Sequence, residues 1–265
     1  MRPLSALSAE TARGLHGLLF DLDDTLLVEG RLTEAAYAAL FRLRESGLRL
    51  VIVTGRPSGW GDVLVRQWPV EGAVTENGAV LVDRRSGHCT VRDCVDEAER
   101  RRRRGSLAVL VSELMDRFPE LRATGDVGQR LSDFAFDIGE RQRVPAEVIE
   151  RAREFARSRG ARVICSSIHL HVTWDRDDKA TGTVRLLGEL LGVDATAARF
   201  RFAFVGDSAN DASCFAGFAT TFGVRNLSGL MTVPPRYRTE RPAADGFVEL
   251  SQKLVALRNQ GPLPS

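Results

Sequence analysis

Asp21 and Asp23 follow the apolar run at residues 15–20, and Thr25 lies two positions further on. Carboxylates at i and i+2 behind a buried strand are costly without a counter-charge. A hard divalent cation is the natural remedy, because oxygen ligands from one or two carboxylates suit Mg2+. Asp207 and Asp211 bring further carboxylates, Thr54 a hydroxyl, Gly55 an accessible backbone N–H and Lys179 a cation. Cation, hydroxyl, amide and ammonium together match the charge of a phosphoryl group. That chemistry suits an aspartate nucleophile that carries an aspartyl-phosphate, with the second aspartate as acid and base.

These residues can meet only if the elements carrying them end at one edge. Residues 15–20, 48–53 and 200–205 are short apolar runs, partly β-branched, and predict strands buried on both faces. Residues 33–46 predict a helix between the first two, with Ala36, Leu40 and Leu43 near helical spacing and Gly47 as its stop. Strand, helix and strand in this order make a βαβ unit and hence a parallel sheet. The expected class is α/β, with a Rossmann-like parallel-sheet core. Ligands of such sheets bind beyond the carboxyl ends of the strands, where all three polar clusters fall.

From about Asp83 to Asp175 the pattern changes. Residues 79–82 and 89–91 flank Asp83-Arg84-Arg85-Ser86-Gly87 and predict a hairpin. Residues 106–117 and 145–159 predict helices, and 131–138, 161–166 and 168–174 predict strands. This mixture is expected to form a smaller α/β layer, residues 84–175, inserted into a core built from 1–83 and 176–265. The core resumes with helix 181–191, strand 201–205 and a closing helix over 247–258, and residues 261–265 are expected to be a loose tail.

The ordered set Asp21-x-Asp23-x-Thr25, Thr54-Gly55-Arg56, Lys179 and Gly206-Asp207-x-x-Asn210-Asp211 resembles the four motifs of the haloacid dehalogenase superfamily of phosphohydrolases. The long insert, with Glu76-Asn77-Gly78-Ala79 before it and Pro235-x-Tyr237-x-Thr239 and Gly246 late in the chain, is similar to the branch with an inserted α/β cap. That branch includes the Cof-type, sucrose-phosphate and mannosylphosphoglycerate phosphatases. The resemblance implies Asp21 as nucleophile, Asp23 as acid and base, and Thr54 and Lys179 as further catalytic groups. It also implies phosphate or substrate contacts from Gly55, Arg56, Asn77 and Asn210, and Mg2+ held by Asp21, Asp23, Asp207 and Asp211, the last directly or one step removed. Two positions depart from the pattern: Asp24 and Ala180 stand where glycine is common.

The implied activity is a Mg2+-dependent phosphatase acting on a small phosphorylated metabolite, a sugar phosphate or a phosphoglycerate-type ester. The alternatives are a phosphomannomutase-like phosphosugar mutase and a phosphate-binding regulatory module without turnover. A cytoplasmic location and a monomer or homodimer are expected. Composition agrees with a folded enzyme: 265 residues, 43% hydrophobic and 27% charged, hold a sizeable core. The net charge of +2 gives no reason to expect a nucleic-acid or membrane partner. The four cysteines form no CxxC pair and read as reduced thiols.

Blander readings stand beside these. Thr54 could serve only as a strand-end turn residue. Lys179 could be a surface lysine, yet of 37 basic residues only Lys179 and Lys253 are lysine, which argues for a role arginine cannot fill. Ser167, His169, His171 and Thr173 share one face of a strand. That face is expected to be solvated or packed, or, with His169 and His171, to touch substrate; a histidine metal site is the least favoured reading. The run Arg100 to Arg104 is read first as a solvated stretch, then as a lure for an anionic substrate, and last as a nucleic-acid contact.

Overall fold

The computed structural model describes residues 1–85, 87–166, 168–227 and 232–259; Ser86, Ser167 and the expected tail at 261–265 lie outside them. In chain order, β1 (Arg2–Pro3), α1 (Ala9–Gly14), β2 (Gly17–Phe20), β3 (Leu27–Val28) and β4 (Arg31–Leu32) lead to α2 (Glu34–Glu45). Next come β5 (Arg49–Val53), α3 (Ser58–Gln67), β6 (Gly72–Thr75), β7 (Val80–Arg85) and β8 (His88–Asp93). The middle of the chain holds α4 (Glu97–Arg117), β9 (Arg122–Ala123), β10 (Asp133–Asp137), α5 (Ala146–Ser158), β11 (Arg162–Cys165) and β12 (His169–Thr173). It closes with α6 (Lys179–Leu191), α7 (Ala195–Arg201), β13 (Phe202–Gly206), α8 (Ala212–Gly217), β14 (Thr220–Gly223), β15 (Tyr237–Arg238) and α9 (Ala243–Asn259).

The large sheet runs β1-β15-β14-β13-β2-β5-β6-β7-β8 and is parallel from β1 to β6. Alternation along each strand divides its side chains between two cores. Leu18, Phe20, Leu50, Ile52, Ala203 and Val205 pack with α2 and α9, through Leu40, Leu43, Phe247 and Leu250. Leu19, Val51, Val53, Phe202 and Phe204 pack on the other face with Leu186, Leu187, Ala198 and Phe215. Both faces are covered, which is why these strands read as continuous apolar runs. Thr33 caps α2 by accepting from the Ala36 N–H at 3.2 Å, and Gly47 ends the turn at φ +86°.

Three differences from the sequence expectations have physical reasons. The hairpin β7–β8 pairs antiparallel onto β6, so it extends the large sheet and is not part of the smaller layer. Phe200, expected at the head of a strand, sits in α7 and is 67% exposed, because Asp194 caps a short helix there. The helix expected at 106–117 begins at Glu97, capped by Asp96, and so absorbs the arginine run. The smaller layer itself is an antiparallel sheet, β11-β12-β10-β9. Leu170, Val172 and Phe136 turn to α4 and α5, where they meet Leu110, Leu114, Val148 and Ala152. The opposite face of β12 carries His169, His171 and Thr173, all buried.

Candidate active site

Strands β13, β2 and β5 are neighbours, so the residues that follow them, Asp207, Asp21 and Thr54, emerge side by side. The sheet order reverses its direction of growth at β2, and open α/β sheets bind their ligands at such a point. Asp21 is fixed by its N–H, which continues the ladder to the Val205 carbonyl at 3.0 Å, as Thr54 N–H does to Val74 at 2.8 Å.

Lys179 enters from α6, whose first turn is closed by a capping box: Thr181 N–H donates to the Asp178 carboxylate and Asp178 N–H to the Thr181 hydroxyl, both at 2.8 Å. Its ammonium donates to Asp21 Oδ1 at 2.9 Å and to Asp211 Oδ1 at 2.7 Å. Carboxylate oxygens of Asp21, Asp207 and Asp211 lie within 4.8 Å of one another, and all three residues are buried. Burial, reinforced by Asp211 and opposed by Lys179, pushes the Asp21 carboxyl up to about 7. Burial and then Asp211 and Asp21 push Asp207 up to about 9. Burial alone would lower Lys179, but Asp21 and Asp211 outweigh it and hold the ammonium above its ordinary range. Three buried carboxylates against one ammonium leave unbalanced negative charge, and the donor set is oxygen only. These residues therefore fit a hard divalent cation. Asp211 Oδ2 also accepts from Asp207 N–H at 3.0 Å and Ser208 N–H at 3.3 Å, so much of its capacity is already spent on holding the loop.

Asp23 faces a different partner. Arg56 Nε and Nη2 each donate to it at 2.8 Å, a bidentate pair, with the guanidinium stacked 4.5 Å from the centre of Trp60. Arg56, expected to touch phosphate, thus holds the second aspartate; it also reaches Glu140 at 3.3 Å and Asp126 at 3.7 Å in the smaller layer. Thr54 Oγ1 accepts from Arg56 N–H at 3.1 Å, so its hydroxyl also serves as a turn residue. Asn210, expected to contact phosphate or substrate, accepts from the Ser208 hydroxyl at 2.7 Å. Asn77 sits at φ +56°, 4% exposed, with both amide atoms buried and without a hydrogen-bond partner among the described residues.

His169 and His171 join Asp21, Asp23, Gly55, Asp207 and Asn210 around a cavity of about 20 Å3. Each histidine is held by an acid: His169 Nε2 lies 3.0 Å from Glu140 and His171 Nδ1 2.7 Å from Asp133. Burial lowers the His171 pKa more than Asp133 raises it. Asp133 is held down to about 2, because Arg130 and His171 outweigh its burial. Arg130 itself donates across the seam to the Gly55 carbonyl at 3.0 Å.

Several contributors were missed in the sequence. Arg130, Asp133 and Glu140 have no spacing that announces them, since only the docking of the second sheet brings them to the motif loops. Glu76 was read only as part of a motif; it accepts from Ser58 N–H at 3.1 Å, Leu131 N–H at 3.0 Å, Ser132 N–H at 2.6 Å and Ser132 Oγ at 2.7 Å. Asp24 has φ +56°, which accounts for glycine being common there; its carbonyl accepts from Asn226 Nδ2 at 2.8 Å. Thr25 Oγ1 reaches Asp207 at 3.4 Å.

The family model for haloacid dehalogenase-like hydrolases matches residues 18–99. A Thermoplasma acidophilum protein superposes with a TM-score of 0.72 at 17% identity, over 92% of this chain and 99% of that one. A haloacid dehalogenase-like hydrolase from Bacteroides thetaiotaomicron gives 0.64 at 18%, over 91% and 99%. The sucrose-phosphatase of Synechocystis, solved with sucrose and phosphate, gives 0.58 at 19%, over 91% and 98%. No curated protein sequence matches.

Proposed function

We propose, from the premise that this chain is a haloacid dehalogenase-like hydrolase, that it is a Mg2+-dependent phosphatase of small phosphorylated metabolites. The observation that carries this reading is the Lys179 ammonium bridging Asp21 and Asp211 beside Asp207 at the switch point of the sheet. Asp21 attacks phosphorus and the ester oxygen leaves with a proton from Asp23; water then loses a proton to Asp23 and attacks the aspartyl-phosphate. Lys179, the Thr54 hydroxyl and the Gly55 N–H hold the phosphoryl oxygens, and Asn77 and Asn210 flank them. Mg2+, held by Asp21, Asp207 and the backbone of Asp23 with Asp211 behind, would offset phosphoryl charge. The lone ammonium can stand between two carboxylates where a planar guanidinium would not fit.

The unit that closes over the site is residues 95–175, shorter than the 84–175 expected, since β8 belongs to the large sheet. Its buried imidazoles, His169 and His171, meet the leaving group, which favours a hydroxyl-rich ester such as a sugar phosphate. The cytoplasm is the proposed location; among the described residues no helix is long and apolar enough to cross a membrane.

The test is inorganic phosphate release from a panel of phosphorylated metabolites, with Mg2+ and with chelator, for the wild type and Asp21→Asn. Mg2+-dependent release falling below about 1% in the variant is expected. Net isomerisation without phosphate release, or a persistent phospho-enzyme with no turnover, overturns the phosphatase reading.

A further inference from the structure

The arginine run divides its work. Arg100 forks onto Asp93, at 2.6 and 2.7 Å, and onto Asp175, at 2.7 and 3.0 Å. Asp93 ends β8 and Asp175 follows β12, so one guanidinium ties the two points where the chain passes between the sheets. Arg103 also reaches Asp175, at 2.8 Å. Beside this clasp a cavity of about 470 Å3 is lined by Arg102, Arg103, Arg162, Arg176, Trp174 and Asp175; it shares no lining residue with the cavity around Asp21 and Asp23, though Arg162 also lines the one beside Lys179.

The cavity has a surplus of donors. Asp175 is its one carboxylate among the described residues, and Arg100 and Arg103 already share it. Arg162 donates to the Asp177 carbonyl, and Arg102 meets Glu99 at 2.7 Å on the helix surface. Arg176 is exposed and enters no ion pair among the described residues. The indole N–H of Trp174 is buried without an acceptor among the described residues. Arg103 also meets Glu99, at 2.6 Å, so the four guanidinium groups share Glu99 and Asp175 and keep a surplus of positive charge that an anion with several acceptor oxygens would offset. Guanidinium forks match phosphate oxygens in pairs, and the volume suits a small molecule.

We propose that this cavity, formed by the arginine run at the junction of the two sheets, is a binding site for a multiply phosphorylated small anion, separate from the reaction centre. Arg102, Arg162 and Arg176 take its oxygens, and Trp174 supplies a further donor. Arg103 is shared between the anion and Asp175, so occupancy bears directly on the clasp at the base of the closing unit.

Tripolyphosphate is the probe, titrated calorimetrically into the full-length protein with chelator present, at about 0.15 M salt so that diffuse attraction is screened. Arg102→Ala/Arg176→Ala, two exposed positions outside the catalytic set, is expected to weaken binding at least about tenfold, as loss of charge-assisted bonds implies. Arg44→Ala, a charge removed from exposed α2, is expected to leave binding within about twofold. Trp174 emission should change on titration and lose its response in the double variant. An unchanged urea-unfolding midpoint of the double variant without probe shows that it is folded. Absence of binding to the wild type, equal binding by the double variant, or binding lost instead in Lys179→Met overturns the proposal. The readout is binding, so it stands or falls separately from turnover.

Discussion

Lys179 sets the charge balance of the site, and its replacement separates charge from shape. Lys179→Arg keeps the charge but cannot place a planar fork between oxygens that lie 2.9 and 2.7 Å from one ammonium. Turnover in Lys179→Arg is expected to fall at least about a hundredfold, close to the loss in Lys179→Met, because a misplaced charge does not stabilise the transition state. Phosphate release under saturating substrate measures both; near-normal turnover in Lys179→Arg would remove the case for a lysine-specific role. Asp21 and Asp207 lead to a second prediction. Their folded pKa values, raised to about 7 and about 9, mean that the folded protein binds more protons than the unfolded chain between the ordinary carboxylate range and those values. Their contribution to stability is therefore full below that ordinary range and is lost as pH rises through about 7 and about 9. Mg2+ favours the ionised forms, so binding it should release protons near neutrality. It should also raise the urea midpoint more at about pH 9 than at about pH 6. Calorimetry in two buffers of different ionisation enthalpy counts the protons, and no release near neutrality would show that Mg2+ does not bind at these carboxylates.

Elements place Lys179 as much as residue chemistry does. Gly78, at φ +111°, lies so close to the start of α6 that a Cβ would come within 2.1 Å of the Asp178 carbonyl oxygen. Gly182 on α6 is pressed back on Gly78, where its own Cβ would meet the Gly78 carbonyl oxygen at 2.5 Å. Gly78→Ala must therefore shift the helix end that carries the ammonium, and it adds the strain of a side chain at positive φ. A loss of about 2 kcal/mol or more in stability is expected from equilibrium urea unfolding, together with a drop in turnover. Stability within experimental error of the wild type would show that the helix start yields freely. This contact was invisible in the sequence, where Gly78 read only as one letter of a motif. What was legible there was whatever repeats along one element: the apolar runs of β2, β5 and β13, the helical spacing of α2, and the alternation that put His169 and His171 on one face of β12. Three of the four motifs were legible because each follows a strand end in chain order, and Lys179, which opens α6, because lysine is scarce in this chain. What was not legible depends on how separate elements meet. Arg56 turns from the expected phosphate to Asp23, and the pair β7–β8 joins the large sheet. Two members of an arginine run that read as solvated, Arg100 and Arg103, are folded into ion pairs with Asp93 and Asp175, because β8 and β12 end beside the start of α4.

At the scale of the whole molecule, the cavity of about 20 Å3 around Asp21 and Asp23 has room for about one water, while a second of about 390 Å3 lies beside Lys179, Asn77 and Asn210; movement of the smaller sheet would open the first to substrate. Three sets of contacts resist that movement. Glu76 gathers the Leu131 and Ser132 N–H groups, Arg130 donates to Gly55, and Arg56 reaches Glu140 while gripping Asp23. The third set links opening to catalysis, since Arg56 holds both oxygens of the proposed acid and one oxygen of the moving unit. Glu140 in turn holds His169 at 3.0 Å, so one carboxylate bridges a core arginine and an imidazole at the leaving-group side. Glu140→Ala cuts this bridge and leaves the Arg56–Asp23 pair and every proposed catalytic group in place. The Glu140 side chain is 32% exposed, so solvent screening limits the lost attraction to roughly 1 kcal/mol or less. That corresponds to a rise of up to about fivefold in KM, with kcat within about threefold of the wild type, since the lost contact favours the closed form without touching phosphorus. Amide hydrogen exchange should quicken at residues 139–142 and 131–132, which the closed seam protects, and stay unchanged in β2 and β5 at the centre of the large sheet. Quicker exchange with an unaltered KM would separate seam opening from substrate capture. A large fall in kcat with normal exchange would instead move Glu140 from the seam into the chemistry, as the group that orients His169 toward the leaving oxygen.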